Sequence, residues 1–236
     1  MIKYLQLRQL FDVGKMQADL TLLETRLWKE HYNTRHYQGS WSVLPLRSIN
    51  GSMENVISIH SSSATEMRYY RDTELLERCS YLQSVLHFFE CEKTSVRLMN
   101  LQAGGMIREH SDHELSFEEK EVRFHIPVVT NPEVEFFLDD EMVMMKEGEC
   151  WYLNLSLRHR VKNGGTTDRV HLVIDCRVND WIRNLFSDEG AIQKKTDHHE
   201  REKLYAKEDK LKIIAQLRLM NTPTSIELAA KIENEL

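Results

Sequence analysis

The tripeptide His110-Ser111-Asp112, taken with His159 and Arg169, limits the folds open to this chain more than any other feature. In an extended segment the first and third residues of a tripeptide point to the same face, so His110 and Asp112 can grip one ion together. Two histidines and one carboxylate are the 2-His-1-carboxylate facial set that suits non-haem Fe(II) and leaves coordination positions open. The second histidine, His159, has to come from another strand. The chain between Asp112 and His159 is long enough for several antiparallel strands to go out and back.

The surroundings of the tripeptide are rich in strand signals. Val96–Ala103, a Gly104-Gly105 turn and Met106–His110 precede it. Arg123–Val129, Val134–Leu138 and Met142–Met145 follow, and after a Gly148 turn come Cys150–Asn154 and Val170–Asp175. These are short β-branched and aromatic runs bounded by Gly, Asn-Pro and Asp-Asp, which predict an antiparallel barrel or sandwich.

Four stretches in order, HSDHE, VRFHIPVVTNPEVEF, GECWYLNLSLRHRVKNGG and DRVHLVIDCRVNDW, resemble the aspartyl/asparaginyl β-hydroxylase family. The intact HxD and the VNDW tail are most similar to its bacterial free-proline 3-hydroxylase subgroup. The resemblance spans roughly residues 40 to 186. It implies a mainly β fold with flanking helices, built on a double-stranded β-helix of the jelly-roll or cupin-like kind. It also implies Fe(II), 2-oxoglutarate and O2, with His110, Asp112 and His159 as the metal ligands and catalytic centre.

Further residues take their roles from the same resemblance. An arginine suits a cosubstrate carboxylate because its planar fork binds in two places and stays charged. Arg169 opens the strand Val-His-Leu-Val-Ile; on the residues alone, a surface arginine at a strand start fits it equally well. The family offset from His159 implies that Arg169 holds the far carboxylate of 2-oxoglutarate. Arg123 and His125 share one strand face, and the resemblance puts both on the interior against a cosubstrate or substrate carboxylate. A buried ion pair for Arg123, or a hydrogen-bonded core ring for His125, is the structural alternative. Trp41 lies in the region that approaches the barrel mouth and is a candidate substrate-binding residue, as is Arg123. Arg108 and His113 flank the triad as candidate supports, and Asn163 as a residue that orients the His159 loop.

The rest of the chain sets outer limits. With 236 residues the chain is one sizeable domain plus an appendage, read as an oxygenase domain over 1–186 and a helical C-terminal extension over 187–236. A net charge of −6 argues against nucleic-acid binding. No apolar run long enough to span a membrane is present, and the first residues lack a signal-peptide core, so a cytoplasmic protein is expected. Cys79, Cys91, Cys150 and Cys176 show no CxxC spacing and read as reduced thiols. Residues 1–10 alternate as an edge strand does, and Asp12 is placed to cap a helix running to about Tyr32. A strand at Val56–Ile59, a helix through Tyr81 to Phe89, and C-terminal helices around Leu211 and Ser225 complete the reading. The C-terminal helices offer a surface for covering the barrel, for homodimerisation or for a partner.

The expected activity is hydroxylation of an amino-acid side chain, with a free amino acid such as proline or a relative favoured as substrate. A short peptide substrate, as for a peptidyl aspartyl/asparaginyl β-hydroxylase, is the alternative within the same chemistry. A non-catalytic cupin-like metal-binding or interaction module is the alternative outside it.

Overall fold

Strands buried on both faces dominate the chain. In Trp41–Ile49 (β4), Glu121–Val129 (β8) and Arg169–Arg177 (β13) nearly every residue is buried, whichever way its side chain points. The computed structural model describes residues 1–23, 27–54, 69–112 and 115–189, together with 211, 214, 215, 218, 230 and 233. By internal contacts the chain divides into two units, Met1–Glu189 and Gly190–Leu236.

The first unit holds two antiparallel sheets. The larger has eight strands, with Tyr4–Leu10 (β1) at one edge, then Glu149–Leu153 (β11), β8, β13, Lys93–Leu101 (β6), β4, and Lys29–Glu30 (β2) at the far edge. Tyr70–Asp72 (β5) pairs with β4 off this path. The smaller has Glu141–Met142 (β10), Val134–Leu138 (β9), His159–Asn163 (β12), Met106–His110 (β7) and Tyr37–Gln38 (β3), in that order. Side chains from both sheets form one apolar cluster, including Val43, Met99, Leu101, Trp151, Leu153 and Val173 from the larger and Ile107, Phe136, Leu138 and Val161 from the smaller. This is the double-stranded β-helix, with the interior between the sheets.

The other face of the larger sheet is covered by helices. Val13–Thr21 (α1), Glu74–Glu77 (α2), Ser80–Phe88 (α3) and Asp180–Asp188 (α4) bury Met16, Leu75, Leu76, Leu82, Val85, Leu86, Ile182 and Phe186. Phe89 and Phe186 pack on Phe124 of β8, at ring-centroid distances of 5.1 and 6.2 Å. Two covered faces explain why these strands read as almost continuous apolar runs.

Local signals place the turns. Asp139 and Asp140 both have positive φ, 48° and 63°, and join β9 to β10 in a two-residue hairpin. Gly148 sits at φ +81°, where a Cβ would lie 2.6 Å from the Phe11 carbonyl oxygen. The Asp12 carboxylate accepts the Lys15 N–H and caps α1, and the Asn179 side chain does the same for α4 through Ile182.

Two elements differ from expectation. The helix begun at Asp12 ends at Thr21 and does not reach Tyr32. Lys29 and Glu30 pair instead with Val43 and Ser42, and the His31 N–H donates to the Trp41 carbonyl at 2.7 Å. A free edge on β4 offers these groups ladder bonds that outweigh local helical preference. Of the strand expected at Met142–Met145, Met142 pairs with Phe137 and the Val143 N–H donates to the Phe136 carbonyl at 2.8 Å, while the strand goes no further and Met144 is exposed.

The strand expected at Val56–Ile59 lies outside the described residues, as do His113 and most of the C-terminal helices. In the second unit Leu211, Ile214, Ala215, Arg218, Ala230 and Glu233 are helical, and Arg218 pairs with Glu233 at 2.6 Å. All four cysteines are free. No helix among the described residues is long and apolar enough to cross a membrane.

Candidate active site

β7 and β12 are neighbours in the smaller sheet, and their register sets His110 opposite His159. Their ring centroids are 4.2 Å apart. Asp112 follows β7 and is tied to the loop before β12 by its N–H, which donates to Leu155 O at 2.8 Å. One ligand atom from each of His110, Asp112 and His159 lies within 4.8 Å of the others.

Backbone carbonyls set both imidazoles. His110 Nδ1–H donates to Arg108 O at 2.8 Å, and His159 Nδ1–H to Leu157 O at 3.0 Å. A carbonyl can only accept, so in each neutral ring Nε2 keeps its lone pair for a metal ion. Burial, and then the charge of His110, push His159 down to about 4, which keeps it neutral at neutral pH. Burial would raise Asp112, but the Arg123 guanidinium beside it outweighs burial, and its carboxyl is held below the usual range. The donor set is thus two imidazole Nε2 atoms and one carboxylate oxygen, which fits a divalent ion of the Fe(II) type.

Arg123 is fully engaged with carboxylates. Nη1 donates to Asp112 Oδ2 at 2.7 Å, while Nε and Nη2 donate to Asp175 at 2.5 and 3.0 Å. The Asp112 Oδ1 atom faces His110 Nε2 at 3.8 Å. Asp175 is fully buried and also accepts from Arg97 Nη2 at 2.8 Å. Two arginines and two aspartates therefore form one buried chain ending at the triad. The geometry of Arg123 is that of the buried ion pair, the structural alternative left open by the sequence.

Arg169 has the opposite character. It is 3% exposed, and among the described residues no carboxylate pairs with it. Its Nη2–H donates to His171 Nδ1 at 3.1 Å, and its buried Nε has no partner. Burial pulls it down to about 9, so it stays cationic at neutral pH. A buried cation without a counter-ion is costly, and this one fits an anionic ligand. His125 is next to it: both ring nitrogens are buried and unpartnered, and burial with the Arg169 and Arg123 charges holds it well below its ordinary pKa.

Trp41 is 7% exposed and belongs to the intersheet cluster, with its indole N–H buried and unpartnered. Its ring stacks on His31 at 3.6 Å. Arg108 donates to the Arg35 carbonyl at 3.2 Å. Asn163 is fully buried and bonds to Leu101 O and Thr167 O, tying turns at the end of β12 remote from His159.

The sequence reading did not single out Arg97, His171, Asp175 or His31. For three of them a signal existed. On β13 the parity set by Arg169 also selects His171 and Asp175, and on β6 Arg97 shares parity with Met99 and Leu101 in the core. A charged residue at such a position, in strands otherwise apolar, marks a buried polar network. His31 has no such signal, because the apolar spacing after Asp12 places it on a helix.

The family model described as aspartyl/asparaginyl beta-hydroxylase matches residues 14–178. L-proline cis-4-hydroxylase of Rhizobium meliloti (strain 1021) is 27% identical over 182 residues, covering 74% of this chain. The chain spans 62% of the length of that relative. Among solved structures, a Pseudomonas putida prolyl-4-hydroxylase is similar at a TM-score of 0.47 and 12% identity, over 76% of this chain and 95% of that one. An oxidoreductase of the 2OG-Fe(II) oxygenase family from Burkholderia pseudomallei is similar at a TM-score of 0.45 and 13% identity, over 71% and 80%.

Proposed function

The chain belongs to the aspartyl/asparaginyl β-hydroxylase family, and from that premise we propose that it is an Fe(II)- and 2-oxoglutarate-dependent dioxygenase that hydroxylates an amino-acid side chain. The observation that carries this reading is the pairing of a two-histidine, one-carboxylate cluster with a buried arginine that lacks a carboxylate partner among the described residues. His125 lies between the two parts: its ring is 5.7 Å from that of His171, the Arg169 partner, and 6.3 Å from that of Phe136, which stacks on His159 at 6.3 Å.

In this reading His110 and His159 hold the metal through Nε2, and Asp112 holds it through its carboxylate. Arg169 receives the far carboxylate of 2-oxoglutarate, and His125 offers a ring nitrogen on the same side. With O2, the bound Fe(II) and 2-oxoglutarate supply the oxidant for C–H hydroxylation, and the cosubstrate leaves as succinate and CO2. Arg123 orients Asp112 by holding Oδ2, and Asp175 in turn holds Arg123. The apolar cluster of Trp41, Phe136, Trp151 and Val173 limits water at the site.

The free amino acid is the favoured substrate, and the similarity to a protein named L-proline cis-4-hydroxylase makes proline the first one to try. The test is succinate release from 2-oxoglutarate with Fe(II) and ascorbate, across free amino acids and short Asp/Asn peptides. Stimulation by a free amino acid supports the reading, and stimulation by peptides alone moves it to a peptidyl hydroxylase. No turnover, together with no metal-dependent binding of 2-oxoglutarate, overturns it.

A further inference from the structure

The segment from His31 to Trp41 leaves one sheet, visits the other and returns. It exits β2, the edge of the larger sheet, and forms a 3-10 turn at Thr34–His36. It then supplies β3, the edge of the smaller sheet, before re-entering the larger as β4. β3 pairs with β7, the strand that ends in His110. The segment thus closes one side of the interior at the metal-ligand edge.

Two histidines ride on it. His36 lies beside His110, with ring centroids 5.2 Å apart. His31 is 7% exposed, its ring stacked on Trp41 at 3.6 Å and tilted against Tyr32 at 4.6 Å, and the charges of Arg97, Asp112 and Arg123 reach it. Asn33 fixes both rings. Its backbone N–H donates to His31 Nδ1 at 3.3 Å, and its side-chain amide N–H donates to His36 Nδ1 at 3.2 Å. Both partners can only donate, so each Nδ1 is an acceptor and each neutral ring carries its proton on Nε2. Among the described residues neither Nε2–H has an acceptor.

We propose that His31 and His36, set in one tautomer by Asn33, are the hydrogen-bond donors that position the substrate's oxygen acceptors beside the metal ligands. The inference rests on the oxygenase reading and adds residues to it. Arg123 does not do this work, since all three of its nitrogens are committed to Asp112 and Asp175; Arg97 gives Nη2 to Asp175, and its buried Nε has no partner among the described residues. Burial, and then the Arg97 charge, push His31 down to about 3, so it donates as a neutral ring across the working pH range.

The decisive experiment separates the ring's packing from its proton. His31→Phe keeps an aromatic ring on Trp41 and removes the donor. His31→Gln loses the ring and keeps a side-chain N–H. Each is assayed for succinate release with L-proline first and then other free amino acids, and for Mn(II)-dependent binding of 2-oxoglutarate by calorimetry. Loss of a donor to a charged or strongly polar acceptor should raise KM for the amino acid about tenfold or more in His31→Phe, with uncoupled 2-oxoglutarate turnover. His31→Gln should recover most of that loss, and 2-oxoglutarate affinity should change less than about twofold in either variant. Asn33→Ala should shift the His36 ring away from a pure Nε2–H tautomer in 15N spectra of the folded protein. Normal KM and coupling in His31→Phe, or a loss in His31→Gln as large as in His31→Phe, overturns the inference while the oxygenase reading stands. Wild-type protein that neither binds 2-oxoglutarate nor responds to any amino acid overturns both.

Discussion

Arg123 donates through Nη1 to Oδ2 of Asp112 at 2.7 Å. The bond leaves Oδ1 facing His110 Nε2 at 3.8 Å and holds the carboxylate in one orientation. It is maintained from behind, because Asp175 takes the other two Arg123 donors and one from Arg97. The orientation of the Asp112 carboxylate therefore depends on Asp175, which lies outside the candidate ligand set.

Asp175→Asn should cost folding stability and metal affinity together. It leaves two buried guanidiniums facing a neutral amide, a loss of about 3 kcal/mol or more. Thermal unfolding should fall by on the order of 10 °C, and Fe(II) should bind more weakly. An unchanged melting temperature would show that the network carries little of the load assigned to it.

His159→Ala should abolish Fe(II)-dependent turnover without unfolding the protein. The measurement is metal content after dialysis alongside succinate release. Retention of full activity would remove His159 from the ligand set.

Arg169→Met should weaken 2-oxoglutarate binding by about a hundredfold or more, as expected for losing a charged, bidentate contact. The same change should leave the ligand-free protein no less stable, because it removes a buried charge that has no counter-ion among the described residues. Calorimetry with 2-oxoglutarate and a thermal melt without it decide the two parts separately.

The metal-free protein should lose stability in mild acid. His159 and His31 are held at about 4 and about 3, below the ordinary value of a histidine. The unfolded chain then binds protons that the folded chain refuses. Stability is complete above about pH 6.5 and declines as pH falls, by about 2 kcal/mol per ring on reaching pH 5. Urea denaturation at pH 7.5 and pH 5 tests the sign and the size.

The periodicities of the strands, the cap at Asp12, the turn at Gly148 and the Asp139-Asp140 hairpin were legible because each depends on local chemistry. So was the grouping of His110, Asp112 and His159 as a candidate ligand set, because residue type and alternation restrict what such side chains can do together. Parity along β13 even contained Asp175 and His171, although nothing local distinguishes an inward carboxylate that is paired from one that is free.

The sequence by itself determined the strand pattern, the family and the residue types available to the site. Only the tertiary structure decided their partners. It spent Arg123 on Asp112 and Asp175, left Arg169 without a carboxylate among the described residues, and drew His31 from an expected helix onto Trp41. The physical reason is that pairing of buried charges and capture of an edge strand are settled between segments far apart in the chain. Burial then makes those choices too costly to reverse.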